Sequence, residues 1–230
     1  MTQAVLNDWR TAPIERELRA TIGFLEKLVF QPSGIDSEDI IVLRQEGLTD
    51  RAIIDAIYIC AGFSVIVRIA DALDFQIPPQ RVFDRAAKLL LIVGYRLLSG
   101  LWFDRHGDAA FSSPESRLAV AAGNLHDPYS GGIAWLKKSV LSGPGFLESR
   151  LRQIAAEAGN IPGVLGSYVK KVVYNAYDVT NDDIMLLRKN GYTEDQIFEA
   201  TVSAALGTGL LRIDSGLKAL QAEKLLSSHT

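Results

Sequence analysis

Thiols, histidines and an excess of charge are what this chain has least of. Its one cysteine, Cys60, excludes an internal disulfide and fits a reducing compartment. It equally excludes a Cys-x-x-Cys pair, in which one thiolate attacks and the second resolves. The three histidines, His106, His126 and His229, stand in no helical ligand spacing such as His-x-x-x-His, so neither a metal nor any other cofactor is expected. With 24 Lys and Arg against 27 Asp and Glu, the net charge of −3 provides no basic footprint for nucleic acid. The greasiest segment, residues 89–95, is closed off by Arg96 and Asp104, short of the roughly 20 residues that cross a bilayer. The first eight residues lack the basic-then-apolar order of a signal peptide, and a cytoplasmic protein without membrane contact is the expectation. No stretch alternates with period two over a strand's length, so the chain reads as all-α. There is no Gly-x-Ser-x-Gly elbow, and the glycines of Gly143-Pro144-Gly145 and Gly207-Thr208-Gly209 follow no strand, which removes nucleophile-elbow and phosphate-loop readings. Within a helix, Gly207 and Gly209 point instead to close packing or a bend.

What the chain does have is a repeat. At a constant, ungapped offset of 144 positions, Asp39/Asp183, Leu43/Leu187, Arg44/Arg188, Gly47/Gly191, Thr49/Thr193, Ile53/Ile197, Ala56/Ala200, Arg68/Arg212 and Leu73/Leu217 coincide. Each copy is punctuated as a helical hairpin. Ser37 or Asn181 reads as the cap of a first helix, with acids following, and Gly47 or Gly191 stands where a left-handed C-cap is wanted. Thr49 or Thr193 caps the next helix, and Thr193-x-x-Gln196 has the form of a capping box. A long helix follows in each copy (52–73 and 197–217), apolar on nearly every side, as befits a helix surrounded by neighbours. Phe24, Lys27, Val29 and Phe30 match Tyr168, Lys171, Val173 and Tyr174 upstream, which extends the copies to about 14–75 and 158–219. Between them the sequence predicts an apolar helix at 81–103, a loop at 104–114, a helix at 113–122, a turn at 124–132 and helices at 133–141 and 146–158. The whole reads as a single all-α domain over 1–230: repeat 1, middle helices over about 81–157, and repeat 2.

Three sets of residues carry possible chemistry. Asp55 and Glu199 place a carboxylate at the same point of both long helices; partly buried, such a group is an acid/base candidate, and otherwise it reaches solvent or an ion-pair partner. Arg68 and Arg212 also recur, thirteen positions on, and about 100° per residue turns each away from its own copy's carboxylate. They read as an anion site between helices or as a structural ion pair across the repeat interface. Cys60 sits mid-helix opposite Ala204 in the alignment, which favours a core thiol over a nucleophile.

The stretches "IDSEDIIVLRQEGLTDRAIIDAIYICAGFSVIVRIADAL" and "VTNDDIMLLRKNGYTEDQIFEATVSAALGTGLLRIDSGLKAL" resemble the AhpD-like alkylhydroperoxidase and carboxymuconolactone decarboxylase superfamily. In that family a short helix ending in AxGLS leads into a long helix ending in NRxADAL. The resemblance spans both copies and implies an all-α bundle whose subunits assemble into homo-oligomers. Redox members of the family use a Cys-x-x-Cys pair aided by a glutamate and histidines, and this chain has no such pair. Two functions follow from the resemblance. One is a small-molecule enzyme with Asp55 or Glu199 as acid/base and Arg68 or Arg212 as anion partner. The other is a non-catalytic scaffold that oligomerises or binds a partner.

Overall fold

The described residues of the computed structural model, 2–75 and 127–227, hold nine α-helices and no strand. They are α1 (Thr2–Asp8), α2 (Arg16–Phe30), α3 (Ser37–Gln45), α4 (Asp50–Ala72), α5 (Ser130–Ser142), α6 (Ser149–Ala156), α7 (Gly163–Asn175), α8 (Asn181–Lys189) and α9 (Glu194–Ser227). Short 3₁₀ turns at Pro32–Gly34 and Ala176–Asp178 follow α2 and α7. The chain divides into two compact units, one of Met1–Ala72 with Gly145–Thr230 and one of Leu73–Pro144. The helices anticipated at 81–103 and 113–122, the loop at 104–114, and His106, His126 and His229 lie outside the described residues. In the second unit α5 begins at Ser130, so the glycines of Ser130-Gly131-Gly132, read from sequence as turn, are helical.

In the larger unit the local chemistry recurs at the 144-residue offset. The caps of the first helices differ from expectation: Asp36 and Thr180 are the N-caps, and Ser37 and Asn181 are the first helical residues. The carboxylate of Asp36 accepts from the backbone N–H of Glu38 at 2.9 Å, and Asp39 returns a carboxylate to Asp36 N at 3.0 Å. Asp183 likewise accepts from Thr180 N at 2.8 Å and from its hydroxyl at 3.0 Å. Asp39 and Asp183 also hold Lys27 and Lys171, each at 2.7 Å, so one acid both caps a helix and pins the helix before it. At the other end Gly47 and Gly191 take φ of 92° and 90°. Leu48 N reaches Leu43 O and Gly47 N reaches Arg44 O, with Tyr192 to Leu187 and Gly191 to Arg188 as counterparts. This is the Schellman arrangement, which answers orphan carbonyls at a helix end. Thr193 and Gln196 form the anticipated capping box, at 3.0 and 3.2 Å.

These acids make stability pH-dependent. Burial works against the charge of Asp183, yet the Lys171 ammonium and the Thr180 donors hold its carboxyl below its ordinary 3.8. Burial likewise opposes the charge of Asp50, and Lys224 and Arg44 bring it down in the same way. A folded-state pKa below the unfolded one means that the stabilisation is complete above the ordinary value and is lost as pH falls through the folded one. Asp183→Asn is therefore expected to cost about 1 kcal/mol near neutrality, with the melting curves of variant and wild type converging once the pH drops well below 3.8.

The long helices form the centre. Gly209 lies against Ala61 and Val65, and Gly216 against Ile57, so α4 and α9 run antiparallel and approach closely where α9 has no Cβ. Ile53, Ile54, Ile57, Cys60, Ala61, Ser64 and Ala72 are the buried positions on α4. Tyr168 of α7 is buried in a cluster with Leu165, Val169, Ile197 and Ala200, and its hydroxyl pairs with that of Thr201 at 2.6 Å. α9 runs ten residues past the anticipated end at Leu217. No Gly or Pro follows to stop it. Ala219, Leu220 and Glu223 continue the buried spacing, and the helix packs along α3.

Candidate functional site

Asp55 and Glu199 occupy equivalent positions and do different things. Asp55 is paired with Arg51, one turn back, at 2.9 Å on the surface. Glu199 accepts from the backbone N–H groups of Phe146 and Leu147 at 2.9 and 2.8 Å, and the buried Arg152 of α6 lies 3.9 Å away. Gln196, one turn before Glu199, donates to Phe146 O at 3.1 Å. A Cβ on Gly145 would sit 2.7 Å from the Glu199 carboxylate and would push it from its present place. Glu199 thus fastens the segment that leads into α6. Since α4 and α9 are antiparallel with Ala61 beside Gly209, the two carboxylates lie toward opposite ends of the pair, roughly 25 Å apart along the axis at 1.5 Å per residue. They do not share one site. Arg152 had no counterpart in the repeat and no motif around it, and sequence reasoning missed it.

Arg68 and Arg212 are used reciprocally. Arg68 Nε donates to Val173 O at 3.1 Å and Arg212 Nη2 donates to Val29 O at 2.9 Å, and Val29 and Val173 are themselves an offset pair. Each arginine also donates from Nη1 to the carbonyl four residues back, Ser64 at 3.0 Å and Thr208 at 2.7 Å. Val29 and Val173 sit in the last turns of α2 and α7, where carbonyls lack intrahelical partners and the helix dipole is negative. Each arginine therefore caps the C-terminus of a helix in the opposite half. The cross-repeat contact anticipated as an ion pair goes to carbonyl oxygens instead.

Cys60 is buried within this arrangement, and Ser64 Oγ donates to its carbonyl at 2.8 Å. Burial pushes the thiol up from its ordinary pKa, and the nearby Arg212 and Arg68 only partly offset that, so Cys60 is a neutral thiol at pH 7. Among the described residues no three His, Cys, Asp or Glu side chains converge as metal ligands would. An open groove of about 750 Å³ runs between the N-terminal segment, α2 and α3, lined by Trp9, Arg16, Arg19, Phe24 and Glu46 among others. None of Asp55, Cys60, Arg68, Glu199 or Arg212 lines it. Arg19 closes one wall by donating to the carbonyls of Arg10 and Ala12 at 2.8 and 2.7 Å.

By length and composition α4 is the one described helix able to cross a membrane, but its inner face is packed on α9. Comparison with family models, with curated proteins and with solved structures gives no match in any of the three.

Proposed function

We propose that this chain is a non-catalytic, self-associating helical protein, built by duplication on an AhpD-like body, which joins a second copy through the outer face of α4. The duplication is supported by caps, lysine–aspartate pairs and crosswise arginines that all recur at one offset. The scaffold reading is favoured over the enzymatic one because both candidate carboxylates are engaged: Asp55 by Arg51 on the surface, Glu199 by backbone donors.

One observation carries the self-association. Ile59, Phe63, Ile66 and Val67 follow helical spacing and are 49–64% exposed, an apolar stripe of the kind that marks an interaction surface. Two of the four counterparts on α9 are treated otherwise: Ser203 and Gly207, at the positions of Ile59 and Phe63, are buried, and α6 lies on Gly207, whereas Leu211, at the position of Val67, is 50% exposed. Among the described residues, the part of this face at Ile59 and Phe63 thus has no helix over it on α4, while its equivalent on α9 is covered by α6. A second copy offering its own α4 stripe supplies apolar cover by a twofold, self-complementary contact. Sedimentation velocity tests this. The wild type is expected to be a dimer or larger, and Phe63→Glu with Ile66→Glu is expected to be a monomer with unchanged helix content. A monomeric wild type, or a variant that still associates, overturns the proposal.

A further inference from the structure

We infer that the groove between the N-terminal segment, α2 and α3 binds a free α-amino acid with an aromatic or large aliphatic side chain, its carboxylate on Arg16 and its ammonium on Glu46. The inference does not depend on self-association. It starts from the size and the walls of the groove. A volume of about 750 Å³ lies within the range that small-molecule sites occupy. The walls are held without a ligand. Arg19 donates to the carbonyls of Arg10 and Ala12 at 2.8 and 2.7 Å, which ties the N-terminal segment to α2. Lys27 holds Asp39 at 2.7 Å and ties α2 to α3. Trp9 is fixed as well: its ring lies against Gly23, where a Cβ would come within 3.1 Å of it, and the Arg10 guanidinium, itself paired with Glu26, stacks 4.5 Å from the ring centroid.

The charged groups along the groove fall into two kinds. Arg19 and Asp39 are committed to the walls, as described. Arg16 and Glu46 also line the groove, and among the described residues neither side chain has a hydrogen-bond or ion-pair partner. Both stand toward one end of it. A Cβ on Gly47 would lie 3.6 Å from Glu17 Oε1, so the end of α3 meets the first turn of α2. A cation from α2 and an acid from α3 thus share this end, and no ion pair joins them. A turn or two further along, Phe24 on α2 and Val42 and Leu43 on α3 make the lining apolar, and Trp9 joins them beside Gly23.

These uncommitted groups define the ligand. A molecule of one charge sign satisfies one of the two side chains and is repelled by the other. An α-amino acid carries a carboxylate and an ammonium on a single carbon, with the side chain as a third branch. The guanidinium donates to the carboxylate through parallel N–H groups, and the Glu46 carboxylate accepts from the ammonium. Ion pairs as open to water as these contribute little by themselves. The side chain must therefore supply apolar burial against Trp9, Phe24 and Val42, which selects a large apolar one.

The full chain, isotopically labelled, is to be titrated with L-phenylalanine while the indole N–H signals are followed by nuclear magnetic resonance, Trp9→Phe identifying the signal of Trp9. A saturable shift of that signal is expected, with a dissociation constant on the order of 1 mM for a ligand of about a dozen heavy atoms in an open groove. Phenethylamine and 3-phenylpropionate each lack one of the charges, and both are expected to bind about tenfold more weakly. Arg16→Gln and Glu46→Gln alter side chains that hold nothing in the fold, so each variant is expected to melt as the wild type does. Arg16→Gln is expected to bind phenylalanine no better than phenethylamine, and Glu46→Gln no better than 3-phenylpropionate. A Trp9 signal unmoved by phenylalanine well above millimolar concentration overturns the inference. So do equal affinities of the wild type for the three compounds, or variants that keep the wild-type affinity and preference.

Discussion

Gly207→Ala is expected to destabilise the chain by about 4 kcal/mol, toward the upper end of what one added methyl group does. A Cβ at this position would lie 1.8 Å from Ala156 O and 2.5 Å from its carbonyl carbon. Those are backbone atoms in the last residue of α6, so no side-chain rotation relieves the overlap. Either α6 lifts from α9 or α9 bends. Lifting α6 also strains its other tie, since Glu199 fastens the segment just before it. The control is Gly62→Ala on the exposed face of α4, where a Cβ meets nothing within 4 Å. Mid-helix glycine is about 1 kcal/mol worse than alanine, so this second variant is expected to gain stability. Chemical denaturation of both variants measures the contrast. Equal and small effects would mean that α6 does not pack on α9 as described.

Glu199→Ala is expected to cost about 3 kcal/mol, and Asp55→Ala less than about 0.5 kcal/mol. The alignment makes these residues equivalents; their surroundings do not. Removing the Glu199 carboxylate strands the N–H groups of Phe146 and Leu147 and takes the nearest acid from the buried Arg152. Removing Asp55 loosens one surface pair with Arg51, a contact of the class that contributes a few tenths of a kcal/mol. Glu199→Gln, which retains one acceptor oxygen, is expected to fall between. Urea midpoints of the three variants give the ranking. If Asp55→Ala proved the more damaging, the assignment of Glu199 as the fastener of α6 would be wrong.

Much of the architecture is legible because the signals are local. A glycine with positive φ after a helix, a threonine three residues before a glutamine, and an acid at the third helical position each act within one turn of chain. The slips were local as well. Ser37 and Asn181 looked like caps because serine and asparagine favour that role, yet Asp36 and Thr180 precede them and took it first. The candidate site was less legible. Recurrence picked out Asp55, Glu199, Arg68 and Arg212, but a recurrence states that a position is kept in register with its copy and does not state what it touches.

The sequence by itself determined most of the described helices, the glycine stops at Gly47 and Gly191 and the offset that pairs them, since these depend on backbone hydrogen bonding and on periodicity within one segment; the end of α9 it did not. Only the tertiary structure decided what the paired residues do. It set each arginine on a helix end at the other side of the 144-residue offset, gave one carboxylate a loop to hold and left the other at the surface, and laid α6 on α9 at Gly207 while Phe63, the equivalent position on α4, is exposed. The reason is that these outcomes depend on which elements meet. Contact between groups far apart in sequence leaves no trace in the spacing of either one.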